Sequence, residues 1–124
     1  MKNKMSAQLK PYGITPEQRA ILLLICKYGA MTQKAICDLL NMEPANMTVT
    51  LKRLIASGYI EKIDHPSDSR AYLISVTKKA QNIENELVKM GEDMVELITK
   101  GICEKEQEAT LKTLTKIFEN LKGE

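Results

Sequence analysis

The 124-residue sequence predicts a mainly α-helical protein with one small β-hairpin, an α+β fold. Apolar residues make up 44% of the chain, enough for a globular core, whereas aromatic residues make up only 4%, which argues against a β-sandwich. Apolar residues recur at helical spacing along most of the sequence. One pair of alternating segments around a polar turn at 66–69 indicates two strands. The length favours one domain, or one compact unit with an appendage.

The first long helix is predicted to begin after Thr15. Thr15 can cap the helix, Pro16 occupies the first helical position, where its missing N–H is not needed, and Gln18 completes a capping box. Apolar residues continue to Tyr28, and Gly29 suits a left-handed C-terminal cap. So many apolar residues on one helix indicate a buried central position.

Two short helices follow, joined by about three residues. Thr32 is the expected cap of a helix over 33–40, and Pro44 opens a second helix that ends at 57–58. This arrangement, with small and polar side chains at the start of the second helix, is typical of a helix-turn-helix. The residues expected to face inward are Ile36, Leu39, Leu40, Met47, Leu51, Leu54 and Ile55.

A β-hairpin is predicted directly after these helices. Its strands lie at 59–65 and 71–76, and the second strand alternates Tyr72, Ile74 and Val76 with its other side chains. A hairpin in this place forms a wing. We therefore predict a winged helix-turn-helix over 15–76, preceded by a short N-terminal helix or arm at 1–14.

From residue 77 the apolar spacing changes to that of long heptad helices. The apolar stripe comprises Ala80, Ile83, Leu87, Met90, Met94 and Leu97, then, beyond an expected break at Gly101, Leu111, Leu114, Phe118 and Leu121. Such a stripe must be buried, and the simplest partner for so small a protein is a second copy. Residues 77–124 are therefore predicted to form a helical dimerisation region, with every stripe residue from Ile83 onward at the interface.

The charge is distributed unevenly although the net charge is only +2. Residues 1–79 carry 12 basic and 6 acidic side chains, a net charge of +6, whereas residues 80–124 carry 6 basic and 10 acidic, a net charge of −4. A basic first part joined to an acidic second part suggests that only the first part contacts nucleic acid.

The order of these elements resembles the MarR family of winged-helix transcription regulators. Residues 14–18 are similar to the family's LT-x-x-Q, and residues 53–60 to R-L-x-x-x-G-[LY]-[IV]. Residues 64–71 are similar to the wing signature D-x-x-D-x-R-[AS], with one residue more between the two aspartates. The sequence departs at Ser69, where the family usually has a basic residue, and at Ala80, where it usually has glycine. The resemblance implies a homodimeric regulator of double-stranded DNA. In this family the regulator is usually a repressor, released by a small, often phenolic or anionic ligand.

The second helix of the helix-turn-helix is the predicted recognition helix. Its small and polar outward face permits close approach to a major groove. Asn46 can pair with adenine, Arg53 with guanine or a phosphate, and Val49 can contact a thymine methyl group. The other candidates on this face are Ala45, Thr48, Thr50 and Lys52. An ordinary solvated face is the weaker interpretation, because it usually carries more Glu and Lys.

The wing supplies a second group of candidates. The resemblance implies that Arg70 enters the minor groove with Asp68 orienting its guanidinium; the alternative is a surface ion pair worth at most ~1 kcal/mol. Candidate phosphate contacts, which position the protein without specifying sequence, are Thr32, Gln33, Lys34 and Lys62.

The cysteines and the single histidine predict no further chemistry. Three cysteines do not form a disulfide framework. Cys26 and Cys37 lie among apolar neighbours and Cys103 near a helix corner, so unreactive thiols are expected rather than redox sensors. His65 is the only histidine, and no Cys/His spacing resembles a zinc site. Without a phosphate-binding loop or a nucleophile beside a base, we expect neither an enzyme nor a cofactor.

The sequence also predicts a cytoplasmic location without a membrane partner. The longest apolar run, residues 20–26, is far too short to span a bilayer, and no signal-peptide stretch follows residues 1–4. Two functions stay open. One is a homodimeric regulator on a pseudo-palindromic operator with half-sites about 10 bp apart. The other is a winged-helix module for protein–protein contact, in which Asn46 and Arg53 are surface residues only.

Overall fold

A computed structural model describes residues 2–123 of the chain, with side chains from residue 5 onward. Met1 of the predicted arm and Glu124 of the predicted dimerisation region lie outside the described residues. Over this part of the chain there are seven α-helices and one antiparallel hairpin, which confirms the predicted fold class. None of the helices described is both long and apolar enough to cross a membrane.

The helices and strands follow one another in the predicted order. They are α1 (Lys2–Leu9), a 3-10 turn (Lys10–Tyr12), α2 (Pro16–Tyr28), α3 (Gln33–Leu40), α4 (Pro44–Ala56), β1 (Ile60–Asp64), β2 (Tyr72–Val76), α5 (Lys78–Asn82), α6 (Glu84–Ile98) and α7 (Glu104–Lys122). The chain divides into two compact units, residues 1–91 and 92–124, so the boundary falls inside α6 and not at residue 77.

The capping box predicted at the start of α2 is present, but the conformation of Gly29 at its end differs from the prediction. The Thr15 hydroxyl accepts a hydrogen bond from the Gln18 N–H at 3.2 Å, and the Gln18 side chain accepts one from the Thr15 N–H at 2.9 Å. Gly29 ends the helix with φ 86° and ψ −172°, a conformation outside the left-handed helical region that was predicted. Its positive φ nevertheless favours glycine.

The helix-turn-helix has the predicted bounds and most of the predicted core. The Thr32 hydroxyl caps α3 by accepting a hydrogen bond from the Ala35 N–H at 3.1 Å, and Asn41 turns the chain with φ 52°. The inward placement of Leu39 was wrong, because this side chain is 58% exposed. The buried face of α3 is centred between Ile36 and Cys37, and Leu39 lies beyond the edge of this face, on the side of Ile36 away from Cys37.

The hairpin is slightly shorter than predicted and is tied to the helix-turn-helix at its base. β1 and β2 pair from Ile60 with Val76 to Asp64 with Tyr72. Next to α3, the Met31 N–H donates to the Ile74 carbonyl at 3.1 Å, and the Ile74 N–H donates back. Ile74 is fully buried, so β2 enters the core at this point.

The first half of the apolar stripe lies inside the chain. The helix breaks at Ile83, and Ala80, Leu87 and Met90 join the core that also contains the apolar face of α2. Leu87 is only 1% exposed. The predicted role of Leu87 and Met90 as contacts to a second subunit is therefore corrected, whereas Ile83 is only partly buried and its role stays a prediction. Heptad spacing shows that a stripe must be covered but not which helices cover it.

The N-terminal segment also belongs to this core. Leu9 is fully buried, and the Tyr59 hydroxyl donates a hydrogen bond to the Tyr12 carbonyl at 2.6 Å. Within the predicted arm, the apolar residues Met5, Leu9, Tyr12 and Ile14 therefore belong to the same core as the winged helix-turn-helix.

One arginine ties α2 to α6. The Arg19 Nε and Nη2 atoms both donate to the Leu87 carbonyl, at 2.9 and 2.7 Å. A Cβ atom on Gly91 would collide with the same guanidinium, so glycine provides the space for this contact. Partial burial lowers the pKa of Arg19 below its ordinary value. This contact accounts for a glycine within α6, where alanine would favour the helix.

We expect Gly91→Ala to leave the free energy of unfolding unchanged or lower. Alanine stabilises a helix by ~1 kcal/mol relative to glycine, but here the new methyl group displaces the Arg19 guanidinium. In an Arg19→Met background the same substitution should raise the free energy of unfolding by ~1 kcal/mol. Urea denaturation of the four proteins measures the difference, and an equal gain in both backgrounds would contradict the proposed contact.

Candidate nucleic-acid interface

Burial of one side of α4 determines what its other side presents. Met47, Leu51 and Leu54 are buried, which points the remaining side chains outward. The structure brings the predicted recognition-helix candidates together on this outer face, where they are exposed, except Thr50, which is half-buried: Ala45, Asn46, Thr48, Val49, Thr50, Lys52 and Arg53. Proline and small side chains at the start of the helix leave room for a second molecule to approach the backbone closely.

Two of these candidates already use their hydroxyl groups within the helix. The Thr48 hydroxyl donates to the Pro44 carbonyl at 3.0 Å, and the Thr50 hydroxyl donates to the Asn46 carbonyl at 2.8 Å. The methyl groups of both residues and the Thr50 oxygen remain available, whereas the Thr48 oxygen also accepts a hydrogen bond from Gln33 Nε2 at 2.9 Å. Among the predicted candidates on this face, Asn46, Lys52 and Arg53 carry amide, ammonium and guanidinium groups that can donate hydrogen bonds to bases or phosphates.

The wing turn is shaped by Asp68 and presents Arg70. The Asp68 carboxylate accepts a hydrogen bond from the Arg70 backbone N–H at 2.9 Å, whereas its distance to Arg70 Nε is 3.9 Å. The Arg70 side chain is 94% exposed. An exposed ion pair at this distance is worth at most ~1 kcal/mol. Asp68 therefore fixes the turn, and the guanidinium extends into solvent beyond it.

Of the three candidates at the start of α3, Lys34 is exposed, but Thr32 and Gln33 have side-chain partners within the protein. The Thr32 hydroxyl oxygen accepts the hydrogen bond that caps the helix. Gln33, predicted as a phosphate contact, has its side-chain amide engaged within the protein. Its Nε2 donates to the Thr48 hydroxyl at 2.9 Å, and its Oε1 accepts from the Tyr72 hydroxyl at 3.4 Å.

These contacts bring α3, α4 and the wing strand together. The Lys62 ammonium lies 4.3 Å from the centre of the Tyr72 ring, so Lys62 packs on the wing face that Tyr72 forms. Sequence reasoning missed Tyr72 as part of this site. Its alternation in the strand placed it on one face, but no spacing rule connects it with Gln33, which is 39 positions away.

A separate cavity of about 380 Å³ lies in the first unit, between the end of α2, β2 and the α5–α6 region. Its lining residues are Ile25, Cys26, Gly29, Ala30, Ser75, Val76, Gln81 and Glu84. Burial, and secondarily the Glu84 carboxylate, raises the pKa of Cys26 to about 11. Burial and Asp38 raise the pKa of Cys37 in the same direction. Within the described residues, no cluster of three His, Cys, Asp or Glu side chains could hold a metal ion.

The fold and this outward face define a winged helix-turn-helix protein. Comparison with known proteins gives the family. The MarR family model matches residues 12–71. The chain is 31% identical to the multiple antibiotic resistance protein MarR of Salmonella typhimurium over 109 residues, 87% of this chain and 75% of that protein. The chain belongs to the MarR family, whose members are transcriptional regulators and not enzymes.

One further relative agrees with this assignment, and one solved structure shares the fold. The HTH-type transcriptional regulator YwoH of Bacillus subtilis is 36% identical over 88 residues, 70% of this chain and 64% of YwoH. The fold also matches the structure of a MarR-family transcriptional regulator of Listeria monocytogenes complexed with DNA, with a TM-score of 0.89 and 22% identity over 97% of this chain and 80% of that one. The identity to the Listeria protein is low enough that this match concerns the fold alone.

We expect iodoacetamide at pH 8 to label the exposed Cys103 long before Cys26. With a pKa of about 11, Cys26 is a thiolate in only about one molecule in a thousand at this pH. Because the pKa is raised, Cys26 labelling should speed up as the pH rises from 8 to 10. Glu84→Gln should accelerate Cys26 labelling at pH 8, since it removes a charge that disfavours the thiolate.

Mass spectrometry of the alkylated peptides checks this order, with urea-unfolded protein as the control in which all three cysteines are accessible. Equal labelling rates for Cys26 and Cys103 in the folded protein would contradict it.

Proposed function

We propose that this chain is a sequence-specific double-stranded DNA-binding transcriptional regulator that acts as a homodimer. The observation that carries the proposal is the two-sided character of α4. Its apolar side is held in the core, and its opposite side presents small residues together with Asn46 and Arg53. The Listeria relative with the same fold was solved complexed with DNA. In a helix-turn-helix protein bound to DNA the second helix, here α4, enters the major groove.

In this complex each exposed residue of α4 has a definite task. Ala45 near the helix start allows the backbone to approach the base edges. Asn46 pairs with an adenine, Val49 contacts a thymine methyl group, and Arg53 binds a guanine or a neighbouring phosphate. Lys52 and the methyl-bearing Thr48 and Thr50 complete the surface that lies along the groove.

The wing and the start of α3 supply contacts to the DNA backbone. Arg70, whose side chain is 94% exposed at the turn, can enter the adjacent minor groove, where a narrow groove attracts guanidinium groups. Lys34 and Lys62 are exposed on neighbouring elements and can bind phosphates. The net charge of +6 over residues 1–79 favours this approach over long distances.

The second unit offers the surface for a homodimer. Along α7 the apolar side chains Leu111, Leu114, Ile117, Phe118 and Leu121 are each more than half exposed, and Leu97 at the end of α6 is 45% exposed. We propose that a second copy of the chain covers these residues, together with Met94. Two recognition helices joined in this way would bind half-sites about 10 bp apart on a pseudo-palindromic operator.

Repression and its relief by a small ligand are proposed from the family alone. The cavity beside Cys26 lies near the lower end of the volumes that ligands occupy. Among its lining residues Glu84 carries the formal charge, which favours a neutral or cationic ligand over the anionic one that the family resemblance suggests. Protection of Cys26 from alkylation would report binding there.

We expect the purified protein to retain a specific subset of duplexes from a random pool. The logarithm of its binding constant should fall with the logarithm of salt concentration, with a slope of about −0.9 for each phosphate neutralised. Arg53→Ala should weaken binding to the selected site by ~1–3 kcal/mol and relax the preference at one base position. Fluorescence anisotropy across a salt series measures both quantities.

If Arg53→Ala weakened binding equally on every DNA sequence, Arg53 would be a phosphate contact and not a base contact. If no duplex is held above the non-specific level at low salt, the regulator proposal fails. The chain is then better described as a winged-helix module for protein–protein contact, the alternative that the sequence left open.

We expect Leu114→Asp to convert the dimer into a folded monomer, because it places a charge in the centre of the exposed apolar face of α7. The matched control is Lys112→Asp, which introduces the same side chain on the opposite side of that helix and should leave the dimer intact. Sedimentation velocity measures the mass of each variant, and circular dichroism checks that each is folded. A dimer that survives Leu114→Asp would exclude this face as the interface.

A further inference from the structure

We propose, on the basis of the DNA-binding function above, that Gln33 is a positioning residue that holds the wing against the recognition helix. The Gln33 bridge, defined as Thr48, Gln33 and Tyr72, joins α4 to β2 through one side-chain amide at the start of α3. The bridge contributes to DNA binding by fixing where the wing lies relative to α4. It does not act by contacting DNA.

The hydrogen bonds of the bridge have one consistent direction. The Thr48 hydroxyl donates its proton to the Pro44 carbonyl at 3.0 Å, so it can only accept from the Gln33 Nε2 group, 2.9 Å away. The Gln33 Oε1 atom is then left to accept from the Tyr72 hydroxyl at 3.4 Å. Each member therefore has one defined role, and both ends of the amide are engaged within the protein.

The place of Tyr72 in the hairpin shows why this contact matters. Ile74 holds the base of β2 to the helix-turn-helix through its paired bonds with Met31. Tyr72 lies in the last pair before the turn, opposite Asp64, and so belongs to the outer half of the wing. An isolated two-stranded hairpin is only marginally stable in water. The Gln33 bridge is a second attachment of the hairpin. It lies nearer the turn than the Ile74–Met31 pair and connects the hairpin to the recognition helix α4.

Tyr72 makes a second contact through its ring. The Lys62 ammonium of β1 lies 4.3 Å from the ring centre, while the Tyr72 hydroxyl contacts the Gln33 amide. A shift of Tyr72 would therefore move a proposed phosphate contact on the wing as well. Arg70 lies in the turn two residues before Tyr72, so its proposed entry into the minor groove depends on the same attachment.

The test compares Gln33→Ala and Tyr72→Phe with Lys34→Ala on a duplex selected by the wild-type protein. Loss of one bridging hydrogen bond should weaken specific binding roughly 3- to 10-fold, with the slope of the salt dependence unchanged. Lys34→Ala should instead reduce the magnitude of that slope by about 0.9. The double variant Gln33→Ala/Tyr72→Phe should bind as weakly as Gln33→Ala alone, because both changes break one connection.

Tyr28→Phe is the matched control, since it removes a phenol hydroxyl from a tyrosine at the end of α2, outside the bridge. It should bind the duplex like the wild type. A reduced salt slope for Gln33→Ala would overturn the proposal by making Gln33 a phosphate contact. Additive losses in the double variant, or unchanged affinity in Tyr72→Phe, would overturn it as well.

Hydrogen exchange of the DNA-free protein keeps this test separate from the DNA-binding proposal. Gln33→Ala should raise the exchange of amides in β2 and in the first turns of α4 together. Exchange that rises only within α3 would overturn the coupling, whatever the protein binds. If exchange rises in both elements but wild-type protein holds no duplex, the coupling stands and the DNA-binding function fails.

Discussion

Burial of one face of α4 is the constraint on which the rest of this structure depends. Met47, Leu51 and Leu54 enter the same core as the apolar faces of α2 and α3, and this fixes how the helix is rotated. Since the rotation is fixed, Asn46 and Arg53 have no alternative but to point outward. Apolar burial of this kind is worth about 1.5–3 kcal/mol per large side chain, far more than any contact on the exposed face. The surface that we propose to bind DNA is thus created by the core behind it.

The wing depends on that core in a different way. Ile74 is buried and pairs with Met31, so the base of the hairpin moves with the helix-turn-helix. Its outer part relies on polar contacts from Tyr72 and on the turn that Asp68 closes. The hairpin is therefore held to the helix-turn-helix by apolar burial at its base and by polar contacts farther out.

The C-terminal half shows how one sequence pattern can serve two structural purposes. Leu87 and Met90 close the core of the first unit, and Arg19 fastens that segment through the Leu87 carbonyl beside Gly91. Along α7 the same heptad spacing leaves Leu114 and its neighbours exposed in the single chain. Part of the apolar stripe therefore stabilises the winged helix, and the rest is available to a partner subunit.

The sequence by itself determined the features that depend on near neighbours. The capping box at Thr15, the bounds of α3 and the outward side of α4 all follow from groups within four residues of one another. Only the tertiary structure decided what covers Leu87, why Leu39 is exposed, and that the amide of Gln33 faces Thr48 and Tyr72 instead of solvent. The physical reason is that helix periodicity and capping are local, whereas the partner of an apolar stripe or a side-chain amide is chosen by residues brought close only by folding.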